Sequence, residues 1–335
     1  MDGKRKEYYT TVFAQVFSPC GGYLVAGSNF GTIAVFNSSQ TLHADSPADS
    51  KYPIHSFQAH SSYIYSMVST ERFLISGGSS EIHGWLWKDI LNSNNPKPRW
   101  TLQPPASSPF DVAETNSMVY REKDNTLVSG GGDNNVYVWD LEMGMMTGNL
   151  QGHTDYIHCV DYIKKTDQIV SAGEDGQVLF WDPRVASGSI DSLIEPNKLE
   201  EAARPEIGKW ISCMATDPSE DWLVCGGAPH LSVWHLRSKT STTVLKTPKS
   251  CPQVVAFHDD VILSGGTEPS VFHWSINGEM KTQVPCKAKA VYSLAVNKLP
   301  NKALAVGGNS PYIDICTNFN YKAFSFYFKS NSDST

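Results

Sequence analysis

The sequence predicts an all-β chain folded as a single seven-bladed β-propeller, and three observations carry that prediction. The first is a branched apolar residue followed three positions later by an aromatic one: Ile33-Phe36, Ile82-Trp85, Val136-Trp139, Val178-Trp181, Leu231-Trp234 and Val271-Trp274. Ile313-Cys316 completes the series with a thiol in place of the ring, and successive anchors lie 49, 54, 42, 53, 40 and 42 residues apart. The second is a strand ahead of each anchor that ends in small residues: LVAGS, LISGG, LVSGGG, IVSAG, LVCGG, ILSGG and LAVGG. The third is the Gly, Asp and Asn content of the intervening turns, where hairpins need residues that tolerate unusual backbone angles.

A strand of apolar alternation opens each unit, in TVFAQVF, YIYSMVS, NSMVY, YIHCVDY, WISCMAT, QVVAF and VYSLAV. A fourth strand follows the anchor in PIHSF, PRWTL, TGNL, TTVLK, KTQV and KAFSF. Four short strands cannot bury both faces of a sheet alone, so neighbouring units must stack and the array must close on itself. The propeller then spans residues 10–328, with blades near 10–57, 58–103, 112–150, 151–194, 208–246, 250–283 and 288–328. An N-terminal tail, 1–9, and a C-terminal tail, 329–335, flank it. The mode of closure stays open at this level: many propellers mix an N-terminal strand into the last blade, yet here the last unit carries a fourth strand of its own, Lys322 to Phe328.

The pattern resembles the WD-repeat family from about Thr10 to Phe328, and IVSAGEDGQVLFWDPR behind QGHTDYIHC is its cleanest copy. By that resemblance the fourth blade holds a buried tetrad of His153, Ser171, Asp175 and Trp181, each satisfying the polar atoms of the next. Other blades depart from it: His60, Ser76 and Trp85 lack the turn aspartate, and Ser129, Asp133 and Trp139 lack the histidine.

Composition narrows the function. With 18% charged, 40% hydrophobic and 11% aromatic residues the chain has the balance of a soluble, turn-rich β protein. No apolar run is long enough to span a bilayer, and the basic start, Lys4-Arg5-Lys6, leads into no apolar signal core. The seven cysteines include no C-x-x-C pair, and Cys159, Cys213, Cys225 and Cys316 fall in strands, so reduced thiols are expected and no metal or cofactor is indicated. A net charge of −7 argues against a general nucleic-acid surface.

No catalytic constellation stands out. His153, Asp155, His158 and Cys159 are close in sequence, but strand alternation sends neighbours to opposite faces. Gly130-Gly131-Gly132-Asp133 lacks the Lys-Ser/Thr and the helix of a phosphate loop and reads as a hairpin turn. Three stretches break the spacing, Asn37 to Pro53, Lys88 to Glu114 with a helical turn, and Pro183 to Gly208 with its charged run EPNKLEEAARPE. They are expected to be solvated surface excursions, because none is strongly amphipathic.

Binding is the better reading. In WD-type propellers the residues that open the first strand of each blade commonly meet partners, and here they include Tyr63, Tyr65, Tyr156, His158, Trp210 and Tyr292. Rigid aromatic side chains suit such a surface. At finer grain, FQAHSSYIYSMVSTERFLISGG, LQGHTDYIHC, GKWISCMATD, DWLVCGGAPHLSVWHLRS and NFNYKAFSFYF resemble the family of sixth subunits of the THO complex, the WD-repeat members of an assembly for mRNA processing, splicing and export. The resemblance implies a non-catalytic scaffold in the nucleus and its speckles, with shuttling to the cytoplasm. Its partners would be other THO subunits, the coiled-coil fifth and seventh, with RNA reached indirectly through the complex. An alternative rests on Trp181-Asp182-Pro183-Arg184, which matches the Trp-Asp-x-Arg box of cullin-RING ubiquitin ligase receptors, with Asp182 and Arg184 as adaptor contacts. Direct RNA binding is a third reading, expected to be weak and nonspecific.

Overall fold

The computed structural model describes residues 8–43, 46–105, 113–184, 189–246 and 250–328. Lys4-Arg5-Lys6 and residues 329–335 lie outside the described residues. The chain is all-β in seven four-stranded antiparallel sheets, each built in sequence order, and so belongs to the seven-bladed propeller class. Strands cluster in two compact units, residues 1–103 with 284–335, and residues 104–283.

The first unit holds three blades. Blade one is Val12–Phe17, Tyr23–Ser28, Thr32–Asn37 and His55–Gln58 (β1 to β4), and blade two is Ile64–Ser69, Phe73–Gly78, Ile82–Leu86 and Trp100–Leu102 (β5 to β8). Blade seven is Val291–Asn297, Ala303–Gly308, Ser310–Thr317 and Tyr321–Tyr327 (β25 to β28). The second unit holds blade three, Thr115–Arg121, Thr126–Gly131, Asn135–Asp140 and Met145–Gln151 (β9 to β12), and blade four, Ile157–Ile163, Gln168–Gly173, Val178–Asp182 and Ser189–Ile194 (β13 to β16). It also holds blade five, Ile211–Thr216, Trp222–Gly227, Leu231–His235 and Thr240–Leu245 (β17 to β20), and all but the last two residues of blade six, Pro252–His258, Val261–Gly266, Ser270–Ser275 and Met280–Pro285 (β21 to β24).

Burial follows strand position. Second strands such as β10 are covered throughout, third strands such as β7 likewise, and fourth strands such as β12 face solvent over most of their length. Covering both faces of the middle strands explains their unbroken apolar runs, LISGG and VLFW among them. The core is layered between consecutive blades rather than pooled. Val12, Leu24 and Phe36 of blade one meet Ile313, Ile315 and Phe326 of blade seven, with Phe36 and Phe326 stacked at 4.7 Å. Val25, Ile33 and Val35 meet Ile64, Leu74 and Trp85 of blade two.

The first and last blades therefore join without exchanging a strand. Gln15, buried in β1, donates from Nε2 to the carbonyls of Ser293 at 3.0 Å and Ala305 at 2.9 Å in blade seven. Asn297 returns a bond to Gly21 O at 3.2 Å. Gln15→Ala removes the amide that bridges two carbonyls of blade seven and is expected to cost about 2 kcal/mol of stability, read from the urea midpoint.

Two of the long insertions, expected to be solvated, carry strands, helices and buried side chains among their described residues. Pro183 to Gly208 supplies β16, the fourth strand of blade four. It also supplies Arg204, which is buried and donates to the carbonyls of Ala228 at 2.5 Å, Gly227 at 2.9 Å and Ser250 at 3.0 Å. One guanidinium so ties blade five to the segment that leads into blade six, a use of charge that a run of Glu and Lys conceals. The helix Trp87–Asn92 (α2, after the short α1 at Ser38–Thr41) likewise buries Trp87 and Ile90 against blade two.

Candidate functional site

Every first strand begins with the same distortion. Val12 pairs with Ser28 and Ala14 with Gly27, so Phe13 between them has no partner across the ladder. The same skip isolates Tyr65, Asn116, His158, Ser212, Gln253 and Tyr292. A β-bulge re-aims one side chain out of the strand's alternation.

The small-residue ending of each second strand permits it. A Cβ on Gly78, Gly173, Gly266 or Gly308 would fall on the backbone carbonyl oxygen of Tyr63, Tyr156, Cys251 or Ala290, the residue just ahead of the bulged strand. Three of those carbonyls accept from the next backbone N–H along: Tyr156 O from Glu174 at 2.8 Å, Cys251 O from Thr267 at 3.1 Å and Ala290 O from Asn309 at 2.9 Å. Only glycine allows so close an approach of two backbones.

What the bulged residues do differs between the units. In the second they are polar. Asn116 donates from Nδ2 to Ile157 O at 2.9 Å, and Ser212 from Oγ to Pro252 O at 2.6 Å, each stitching its blade to the next one. His158 holds Nε2 2.8 Å from Glu174 Oε1. In the first unit all three are aromatic, and they converge. Phe13 lies 5.8 Å from Tyr65 and 5.3 Å from Tyr292, ring centre to ring centre, and 6.1 Å from Tyr63. Tyr63 and Tyr65 stack in parallel at 5.5 Å, and Tyr63 is 42% exposed. Four rings from three blades thus form one partly open platform.

Of the six residues singled out from the sequence, Tyr63, Tyr65 and Tyr292 are brought together here. Tyr156, His158 and Trp210 belong to the other unit: Tyr156 is half exposed, His158 is paired with Glu174, and the Trp210 indole packs over Gly208. Phe13 is the member that the sequence pattern did not single out. Aligning the first strands on the glycine ending of the second puts it in register with Tyr65 and Tyr292, and that alignment is the signal that finds it.

The fourth blade's buried chain has the geometry its residue types suggest. Trp181 Nε1 donates to Ser171 Oγ at 2.7 Å, Ser171 Oγ lies 2.7 Å from His153 Nε2, and His153 Nδ1 lies 2.8 Å from Asp175 Oδ2. Asp175 also accepts from the backbone N–H of Thr154 and Gln177, in a turn closed by Gly176 at φ +77°. Burial pulls the Asp175 carboxyl upward, but the His153 contact and the two N–H groups outweigh it and leave it below its ordinary value. The tryptophan-to-serine bond recurs at 3.0, 2.8 and 2.9 Å in Trp85–Ser76, Trp139–Ser129 and Trp274–Ser264. In blade five, where Cys225 replaces the second-strand serine, Ser232 of the third strand receives the Trp234 N–H at 2.8 Å. These buried polar groups are spent on one another, and the chemistry they can perform is structural.

Asp182 and Arg184 of the Trp-Asp-x-Arg box form a closed pair, with Arg184 Nε 2.7 Å from Asp182 Oδ1 and Nη2 2.5 Å from Oδ2. Hydrogen bonds from Arg184 hold the Asp182 carboxyl down at about 2. Gly130 and Gly131 end β10, and Gly132 and Asp133 lie in the turn that leads to β11. Cys159, Cys213, Cys225 and Cys316 are buried free thiols, and burial raises all four above the ordinary thiol range. Among the described residues no helix is long and apolar enough to cross a membrane.

Comparison with known proteins places this architecture. A family model described as the N-terminal domain of nucleolar protein 10-like proteins matches residues 112–259. The chain is 45% identical to the THO complex subunit 6 homolog of Rattus norvegicus, with 96% of this chain and 93% of that protein covered. It is 44% identical to THO complex subunit 6 of Homo sapiens over the same shares, and 33% identical to that of Drosophila melanogaster over 94% of this chain and 89% of the fly protein. Identity of this level, sustained across all seven blades, makes the chain a member of the THO complex subunit 6 family.

Proposed function

We propose that the chain is a non-catalytic docking subunit of a THO complex, acting in the nucleus and its speckles and shuttling to the cytoplasm, where the assembly couples transcription, mRNA processing and splicing to mRNA export. Its direct partners are other THO subunits, the coiled-coil fifth and seventh, and RNA is reached through them. No cofactor enters this reading. The observation that carries it is the platform of Phe13, Tyr63, Tyr65 and Tyr292, a cluster of stiff aromatic side chains of which Tyr63 is exposed and the others half-buried. A coiled coil presents ridges of apolar side chains, and rings of this kind bury much area at small entropic cost.

The triple substitution Tyr63→Ser, Tyr65→Ser and Tyr292→Ser is expected to weaken association with the other THO subunits by about a hundredfold, since aromatic anchors dominate interface energetics. The melting temperature should stay close to wild type, because none of the three side chains belongs to the buried layers. Undiminished co-purification by the triple variant would remove the platform as the docking surface.

A further inference from the structure

A second surface of the first unit has a different chemistry. A groove of about 750 Å³ runs along the outermost strand of blade seven, lined by Lys51, Tyr52, Lys287, Tyr312, Lys322 and Tyr327. Its residues come from the insertion of blade one, the segment entering blade seven, and strands β27 and β28. The rings form a connected set: Tyr312 and Tyr327 lie 5.0 Å apart, and Tyr52 meets Tyr327 edge-on at 6.0 Å. Lys287 holds its Nζ 4.0 Å from the centre of the Tyr312 ring, so a cation caps an aromatic face.

The floor is fixed by a buried carboxylate. Asp314, 1% exposed, accepts from Lys287 N at 2.7 Å, Ser325 Oγ at 2.6 Å and Lys322 Nζ at 2.9 Å. Asp314 neutralises Lys322. Lys51 and Lys287, both exposed, have no carboxylate partner among the described residues. Two unmatched cations beside three tyrosines therefore sit on a chain whose net charge is −7.

We propose that this groove binds an extended acidic segment of a partner protein, with aspartate or glutamate against Lys51 and Lys287 and an apolar or aromatic residue against Tyr52, Tyr312 and Tyr327. Three features favour that occupant. The local charge is complementary to carboxylates. The rings offer flat contact area in line with a seven-residue strand, a shape that an extended chain follows. Two cations suit a pair of carboxylates but fall short of the run of phosphate contacts from which nucleic-acid affinity is built, and the chain's overall charge repels a polyanion.

The test is a selection from a random peptide library displayed on phage, made against the full chain, followed by fluorescence anisotropy with labelled copies of the selected peptides and with labelled oligouridine. The expected result is enrichment of Asp and Glu next to aromatic or aliphatic residues, and binding that weakens by about tenfold or more in the double variant Lys51→Glu, Lys287→Glu. Both lysines are exposed, so an unchanged melting temperature separates loss of the site from loss of the fold. Failure to select acidic sequences, indifference of the selected peptides to the double variant, or tighter binding of oligouridine than of any peptide would each overturn the proposal. The platform of Phe13 and its three tyrosines plays no part in this experiment, so its outcome is independent of the THO reading.

Discussion

Trp181→Ala is expected to lower the unfolding free energy by about 4 kcal/mol, a large share of what holds a domain folded. Trp181 is wholly buried and is the largest of the fully covered side chains. It packs in the layer between blades three and four beside Val128, Ile157 and Ile169. Truncation opens a cavity there that backbones fixed on both sides cannot collapse to fill. It also removes the N–H that Ser171 receives at 2.7 Å, loosening the serine that bridges to His153. Trp181→Phe keeps most of the volume and loses only the donor, so it should cost about half as much. Urea unfolding of the three proteins decides the matter, and a loss under about 1 kcal/mol for the alanine variant would show that the fourth blade does not depend on its tetrad.

Acid should destabilise the chain well before its carboxylates titrate. His60 is 5% exposed, holds Nε2 2.7 Å from Ser76 Oγ, and has the ring of His83 at 4.6 Å. Burial first, and then the charge of His83, push it down from the ordinary 6.5 to about 3. An unfolded chain takes up the proton near 6.5, while the folded chain resists until about 3, so in that window the unfolded state binds more protons. Stability is complete above the ordinary histidine value and falls as pH drops toward 3, by about 5 kcal/mol in all. His83 and His55, both lowered by burial, add to the fall with the same sign. His60→Gln keeps a polar partner for Ser76 without a titrating ring, and its stability should decline much less over this range. Equal slopes for wild type and His60→Gln would show that His60 is not the group responsible.

Much of this architecture is legible in the letters, and the reason is physical. A middle strand covered on both faces must be apolar throughout, so the seven second and third strands announce themselves, and the tryptophan anchors mark where a serine hydroxyl waits. The glycine endings read as turns, but their deeper role is invisible in one dimension: the carbonyl that forbids a Cβ on Gly78 or Gly308 belongs to the residue that leads into the preceding strand. Hence Tyr65 and Tyr292 can be suspected from their place at a strand's start, while their convergence on Phe13 depends on the packing of blades at opposite ends of the chain. Arg204 is hidden for a related reason. Its charged neighbours suggest a solvated run, and only the fold shows the three backbone carbonyls that its fork meets. The groove beside β28 gathers residues 51, 52, 287, 312, 322 and 327, a set that no sequence window contains.

Affinity purification of the tagged chain from its own cells, followed by mass spectrometry, separates a docking subunit of a THO complex from a ligase receptor. The expected result is recovery of the other THO subunits, with the coiled-coil pair most abundant and with loss of all of them from the Tyr63, Tyr65 and Tyr292 variant. Recovery of a cullin adaptor in their place, abolished by Arg184→Ala, would contradict it.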